Sequence, residues 1–171
     1  RALSIKPNYP EAHFGLGNTR RDLGNLEQAK EAYKRALSIK PNYPDASHWL
    51  SVLNGETTNS PPREYVENLF DAFATKFDQS LVNDLKYNIP KILTQSLIKE
   101  AHKETLGAVL DLGCGTGLMG AEIRKFCSTL EGIDLSNSML DQAKVRNVYD
   151  RLTHIGMDEY LSSEELDFDY F

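Results

Sequence analysis

Two carboxylates and the glycines between them are the residues of this chain best suited to hold a small molecule. Asp111 ends a short apolar run, Ala108-Val109-Leu110, of the kind that fills a buried parallel strand; Gly113, Gly115 and Gly117 follow at alternate positions, and a helix-like segment comes next. That order predicts a strand, a tight turn and a helix start. Glycines in such a turn reach backbone angles closed to other residues, and without side chains they let a ligand lie against the main chain. Asp134 closes a second apolar run, Leu130 to Asp134.

The chemistry depends on which register is read. Gly115, Gly117 and Gly120 fit G-x-G-x-x-G, the dinucleotide fingerprint, with an acid about 20 residues on, which would make the chain a nicotinamide oxidoreductase. The other register, Asp111-x-Gly113-x-Gly115-x-Gly117, puts an acid below the turn, where it would repel a pyrophosphate and suit a ligand with an amino group. In this register residues 109–117, Val-Leu-Asp-Leu-Gly-Cys-Gly-Thr-Gly, closely resemble the signature of the class I S-adenosylmethionine-dependent methyltransferases. Glu131-Gly-Ile-Asp134-Leu-Ser-Asn-Ser-Met139-Leu is similar to that family's second strand, ribose-binding acid and following helix.

The resemblance implies S-adenosyl-L-methionine as cofactor, with the backbone of Leu112, Gly113, Cys114, Gly115 and Gly117 against its methionine portion. Asp111 would serve the ammonium directly or through water. Asp134 would accept from both ribose hydroxyls, and Leu135 and Met139 would flank the adenine. The family usually places an acid or amide soon after the third strand to meet the adenine amino group; Gly156 holds that place here, and Asp158 stands two residues late. No residue receives a catalytic role, because displacement at a sulfonium methyl needs alignment more than acid or base help. The Gly156 departure lends some support to an alternative, a repeat scaffold whose attached domain senses the cofactor or binds partners without catalysis.

Alternating strands and helices must position these residues: strands over 108–112 and 129–134, a short one near 152–155, and helices over 118–126 and 138–145. The expected sheet is parallel and Rossmann-like, with both acids at the carboxyl ends of its strands, where ligands of such sheets bind. Upstream, Pro90 to His102 reads as a helix packing on the first strand through Ile92, Leu93, Leu97, Ile98 and Ala101, with His102 and Lys103 as C-terminal cations. From Glu64, residues Tyr65, Val66, Leu69, Phe70, Phe73 and Phe77 recur at three- and four-residue steps and read as a core stripe, with Phe73 or Phe77 as a candidate roof over the cofactor.

The first third of the chain is different. Arg1 to Pro10 returns unchanged at Arg35 to Pro44, an offset of 34 residues. That period is the tetratricopeptide repeat, a helix-turn-helix unit that stacks on its neighbours and often presents a face to peptides. Leu16, Gly17, Gly24, Ala29, Tyr33, Ala36 and Pro41 stand at that repeat's landmark positions: Gly17, Ala29 and Ala36 are small enough for two helices to approach closely, Gly24 supplies the turn and Pro41 stops the second helix. His13 and His48 read as packing or surface residues.

The expected architecture is therefore α plus α/β: repeats over 1–55, a Pro-rich linker over 56–63, and the first part of a methyltransferase domain over 64–171. The chain starts inside a repeat without a methionine, which predicts further repeats upstream. Leu166 to Phe171 reads as the start of a fourth strand beside the first, so the stretch alone is expected to be poorly stable and inactive. Eight Lys and Arg face five Asp and Glu before Glu56, against eleven and twenty from there on, a balance that argues against a nucleic-acid partner. No apolar run approaches the roughly 20 residues that span a bilayer, and Cys114 and Cys127 form no metal or redox pattern, so a cytoplasmic protein without a metal is expected. A protein or peptide partner for the repeats is reasonable, and the methyl acceptor is not readable.

Overall fold

The computed structural model describes residues 2–56, 60–102, 104–163 and 166–171. Lys103 and residues 57–59 of the expected linker lie outside the described residues. Two compact units divide the chain at Val66 and Glu67. The fold is helical in its N-terminal part and α/β after it.

The first unit holds α1 (Ala2–Ile5), α2 (Pro10–Asp22), α3 (Leu26–Ile39) and α4 (Pro44–Leu53). Proline opens α2 and α4, where its missing N–H costs no helical bond. Small residues decide how closely these helices approach. Ala29, Ala36 and Ala46 are fully buried, and so is Tyr33, whose hydroxyl donates to Asn18 Oδ1 at 2.8 Å. Arg21 lies 3.8 Å from the centre of the Trp49 ring, and His48 stacks on Tyr65 at 4.4 Å. His13 reaches Pro7 O at 2.8 Å. Both histidines thus pack, as the sequence suggests.

The second unit begins within α5 (Arg63–Asp78), which runs on as a π-helical turn, Gln79–Asp84. Next come α6 (Ile89–Ala101), β1 (Gly107–Leu112), α7 (Leu118–Ile123) with a 3₁₀ turn to Phe126, β2 (Cys127–Asp134), α8 (Asn137–Arg146), β3 (Arg151–His154) and α9 (Met157–Ser163). The strands form a parallel sheet in the order β1-β2-β3. Near the end of the chain, Tyr170 bridges Val109 in parallel, and Leu110 N–H donates to Tyr170 O at 3.0 Å, so residues 169–171 lie beside β1.

Leu106, Val109, Ile123 and Leu130 form one core cluster, covered by Leu97, Ile98 and Ala101 of α6; Leu110, Ile133 and Tyr160 form another. Two expectations are corrected here. Only the second half of α6 packs on the sheet, since Ile92 and Leu93 at its start are about half exposed. The stripe on α5 does not form a buried core either: Leu69, Phe70 and Phe73 are exposed, Tyr65, Val66 and Phe77 are half-buried, and the face that docks carries Glu67, Asp71, Ala74 and Asp78. No helix among the described residues is long and apolar enough to cross a membrane.

Candidate functional site

Parallel pairing fixes the relative position of the two acids. Asp111 stands opposite Gly132, and Asp134 lies two residues further along β2. Side chains alternate between sheet faces along a strand, so the two carboxylates share a face at neighbouring strand ends.

The turn between β1 and α7 runs beside them. Gly113 and Gly115 have φ of +71° and +53°, conformations that favour glycine, and a β-carbon built on either meets nothing within 4 Å. The main chain is therefore bare there. Gly115 N–H donates to Asp134 Oδ2 at 2.9 Å, and Ser136 N–H donates to Asp134 Oδ1 at 2.8 Å. A carboxylate offers about four acceptor positions, so two backbone donors orient it and leave one lone pair on each oxygen for a ligand hydroxyl.

Asp111 is held from another direction. Tyr149, in the connection from α8 to β3, donates its hydroxyl to Asp111 Oδ2 at 2.6 Å. The Tyr149 ring occupies the places where β-carbons of Gly120 and Gly132 would stand, and it crowds Gly117 as well. Those three glycines make room for protein on that side, whereas Gly113 and Gly115 leave room for something else. Burial pushes the Asp111 carboxyl above the usual carboxylate range; the Tyr149 bond opposes this, and the nearby Asp134 charge adds to it. Burial likewise raises the Cys114 thiol, with the charges of Asp111 and Asp134 reinforcing the effect. Cys114 is accordingly a small packing residue and no nucleophile.

Leu135 is half-buried beside Asp134, and Met139 is buried beneath the first turn of α8. Asp158 lies exposed in the first turn of α9, and its carbonyl accepts the Ser162 hydroxyl at 2.7 Å. No group of His, Cys, Asp and Glu among the described residues is placed to hold a metal ion.

Known families match both units. A tetratricopeptide repeat model matches residues 10–43, and a methyltransferase domain model matches residues 109–170. The chain joins a tetratricopeptide repeat to a methyltransferase domain. Methyltransferase-like protein 27 of Homo sapiens is 37% identical over 92 residues, which make up 50% of this chain and 36% of that protein. An uncharacterized protein of Haemophilus influenzae is 34% identical over 83 residues, 48% of this chain and 27% of its own length. The chain thus spans about a third of the curated relatives it matches. Among solved structures, a DhpI-SAH complex aligns with 61% of this chain and 48% of its own, at 20% identity and a TM-score of 0.44.

Several residues that shape the site in the methyltransferase domain escaped the sequence reading. Thr116 donates to Asp78 Oδ1 at 2.5 Å, and Arg146 pairs with Asp78 while donating to Thr116 O at 2.6 Å. Ser136, the N-cap of α8, accepts Met139 N–H at 3.1 Å and donates to Asp71 Oδ1 at 2.5 Å. His154 Nε2 stands 2.7 Å from Leu135 O and 3.4 Å from Glu67. Ser136 at the start of a helix is a readable cap signal, and Gly120 and Gly132 hint at a close neighbour. Nothing local points to Tyr149, Asp71 or Asp78.

Proposed function

We propose that this chain is the cofactor-binding part of an S-adenosylmethionine-dependent methyltransferase that recruits a protein or peptide through its repeats. The observation that carries the reading is the pairing of an open glycine turn with an Asp134 carboxylate already oriented by two backbone N–H groups. Glycines without neighbours leave a cradle that side chains would fill, and the donor set beside it is two acids. Such a set suits a ligand with an ammonium and a cis-diol; it is a poor host for a pyrophosphate, whose negative charge both acids would repel. S-adenosylmethionine has both groups.

In this reading Asp134 holds the ribose through both oxygens, Leu135 and Met139 border the adenine, and Asp111 faces the ammonium. The peptide groups of Leu112, Gly113, Cys114, Gly115 and Gly117 line the methionine portion. Asp158, exposed at the start of α9, is the side chain available to the adenine amino group. When bound, the cofactor supplies an electrophilic methyl on a sulfonium whose positive charge makes the thioether a good leaving group. The residues named here bind and orient; none of them moves a proton.

A comparative thermal-shift experiment tests the reading. S-adenosylhomocysteine is expected to raise the melting temperature of the protein in proportion to the logarithm of its concentration once above Kd, and reduced nicotinamide dinucleotide is expected to have no effect. Stabilisation by the dinucleotide and not by S-adenosylhomocysteine would overturn it.

A further inference from the structure

Thr116 and Ser136 are 1% and 0% exposed, and each lies in one of the two loops beside the Asp134 carboxylate, Thr116 in the glycine turn and Ser136 after β2. Each hydroxyl donates to an acid of the same helix, Thr116 to Asp78 and Ser136 to Asp71, both at 2.5 Å. Seven residues separate those acids, two turns or about 10 Å of helix, so α5 lies across both loops with one face.

The contacts close into a ring. From Asp78 they pass to Thr116, through the main chain to Gly115 N–H, across to Asp134, on to Ser136 N–H, and through the Ser136 hydroxyl to Asp71, seven residues back on the same helix. Asp134 sits at the far side of this ring from α5. Its carboxylate has no bond to the helix, yet both donors that orient it belong to loops the helix holds. Arg146 reinforces one limb by bonding Asp78 and Thr116 O together, and Ser138 N–H reinforces the other with a 3.1 Å bond to Asp71 Oδ1. Buried hydroxyls left without acceptors would have to move, and the loop backbones would move with them.

We infer that Asp71 and Asp78 are positioning residues for cofactor binding: they set the spacing between the glycine turn and the loop after β2, and through it the orientation of the Asp134 carboxylate. This rests on the cofactor reading above. Neither acid touches the ligand. Asp71 accepts both of its bonds on one oxygen, so an amide can replace it there, whereas Asp78 uses its two oxygens on two partners.

A double-mutant cycle on the intact protein tests the inference, with S-adenosylhomocysteine as the calorimetric ligand. Wild type and Asp134→Ala come first: binding by the former and a marked loss in the latter establish the site, and wild type failing to bind would sink the cofactor reading and this inference together. With the site established, Asp71→Ala and Asp78→Ala are each expected to weaken binding by at least about threefold, and to have no further effect in the Asp134→Ala background. Asp71→Asn is expected to restore near wild-type affinity, while Asp71→Ala does not. Affinities unchanged by either alanine variant, or losses that persist undiminished without Asp134, would overturn the positioning role and leave the site reading intact. Should the alanine variants unfold, Thr116→Val and Ser136→Ala break the same two bonds from the other side and carry the same expectations.

Discussion

Gly115 donates its backbone N–H to Asp134 across 2.9 Å, tying the turn after β1 to the tip of β2. The bare main chain and the acid beside it are therefore one hydrogen-bonded unit, and holding a binding group in one orientation lowers the cost of binding.

The glycines of this region should divide into two classes. Alanine at Gly115 meets no neighbour but must adopt a left-handed backbone, which costs about 1–2 kcal/mol, and its methyl group takes the open space beside the turn proposed for the cofactor, so cofactor affinity should fall with it. Alanine at Gly120 puts a β-carbon 2.3 Å from the Tyr149 hydroxyl oxygen, an overpacking worth about 1–3 kcal/mol. Urea unfolding of Gly120→Ala should show that loss, and the loss should vanish in a Tyr149→Ala background. Equal losses in both backgrounds would mean the ring is not the obstacle.

Asp111 should affect folding and binding in opposite directions. Its carboxyl is raised by burial and by Asp134, so the folded state disfavours the carboxylate: stability improves as pH falls through the raised value and is penalised above it. A ligand ammonium favours the carboxylate, so affinity should rise with pH through the same interval. Asp111→Asn is expected to melt higher than wild type at neutral pH, to bind more weakly, and to lose that pH dependence. Calorimetric titrations across mildly acidic to neutral pH, with melts under the same conditions, decide the point; an unchanged pH profile in the variant would remove Asp111 from the site.

Asp71 behaves the other way. Burial works against its ionisation, but bonds from the Ser136 hydroxyl and Ser138 N–H outweigh that and hold its carboxyl below the usual range. Its contribution is present above the unfolded value of about 3.9 and is lost as pH falls through the depressed folded value. Thermal melts from neutral pH downward should show wild type losing more stability than Asp71→Asn on the acid limb. Parallel curves would mean that the two bonds do not distinguish the charged form.

The parts of this site that were legible in the sequence are the parts made locally. Asp111, Gly113 and Gly115 lie within five residues, and Asp134 ends an apolar strand of its own, so alternation and glycine spacing suffice to place them. Three missed pairs are far apart in sequence: Asp78 and Thr116 by 38 residues, Asp71 and Ser136 by 65, and Tyr149 and Asp111 by 38. Helix α5 shows why periodicity misled. Its apolar residues recur at helical spacing and so mimic a core face, yet acids docking on buried hydroxyls of two loops decide which face docks, and hydrophobic spacing says nothing about hydroxyl partners 38 or more residues away.

Cofactor affinity of Asp134→Ala, measured calorimetrically with S-adenosylhomocysteine, tests the central claim most directly. Hydrogen bonds to a charged acceptor contribute about 1.5–3 kcal/mol, so binding should weaken about 10- to 150-fold in a protein that still melts cooperatively. An affinity equal to that of wild type would contradict the assignment of the ribose to Asp134, and with it the site proposed here.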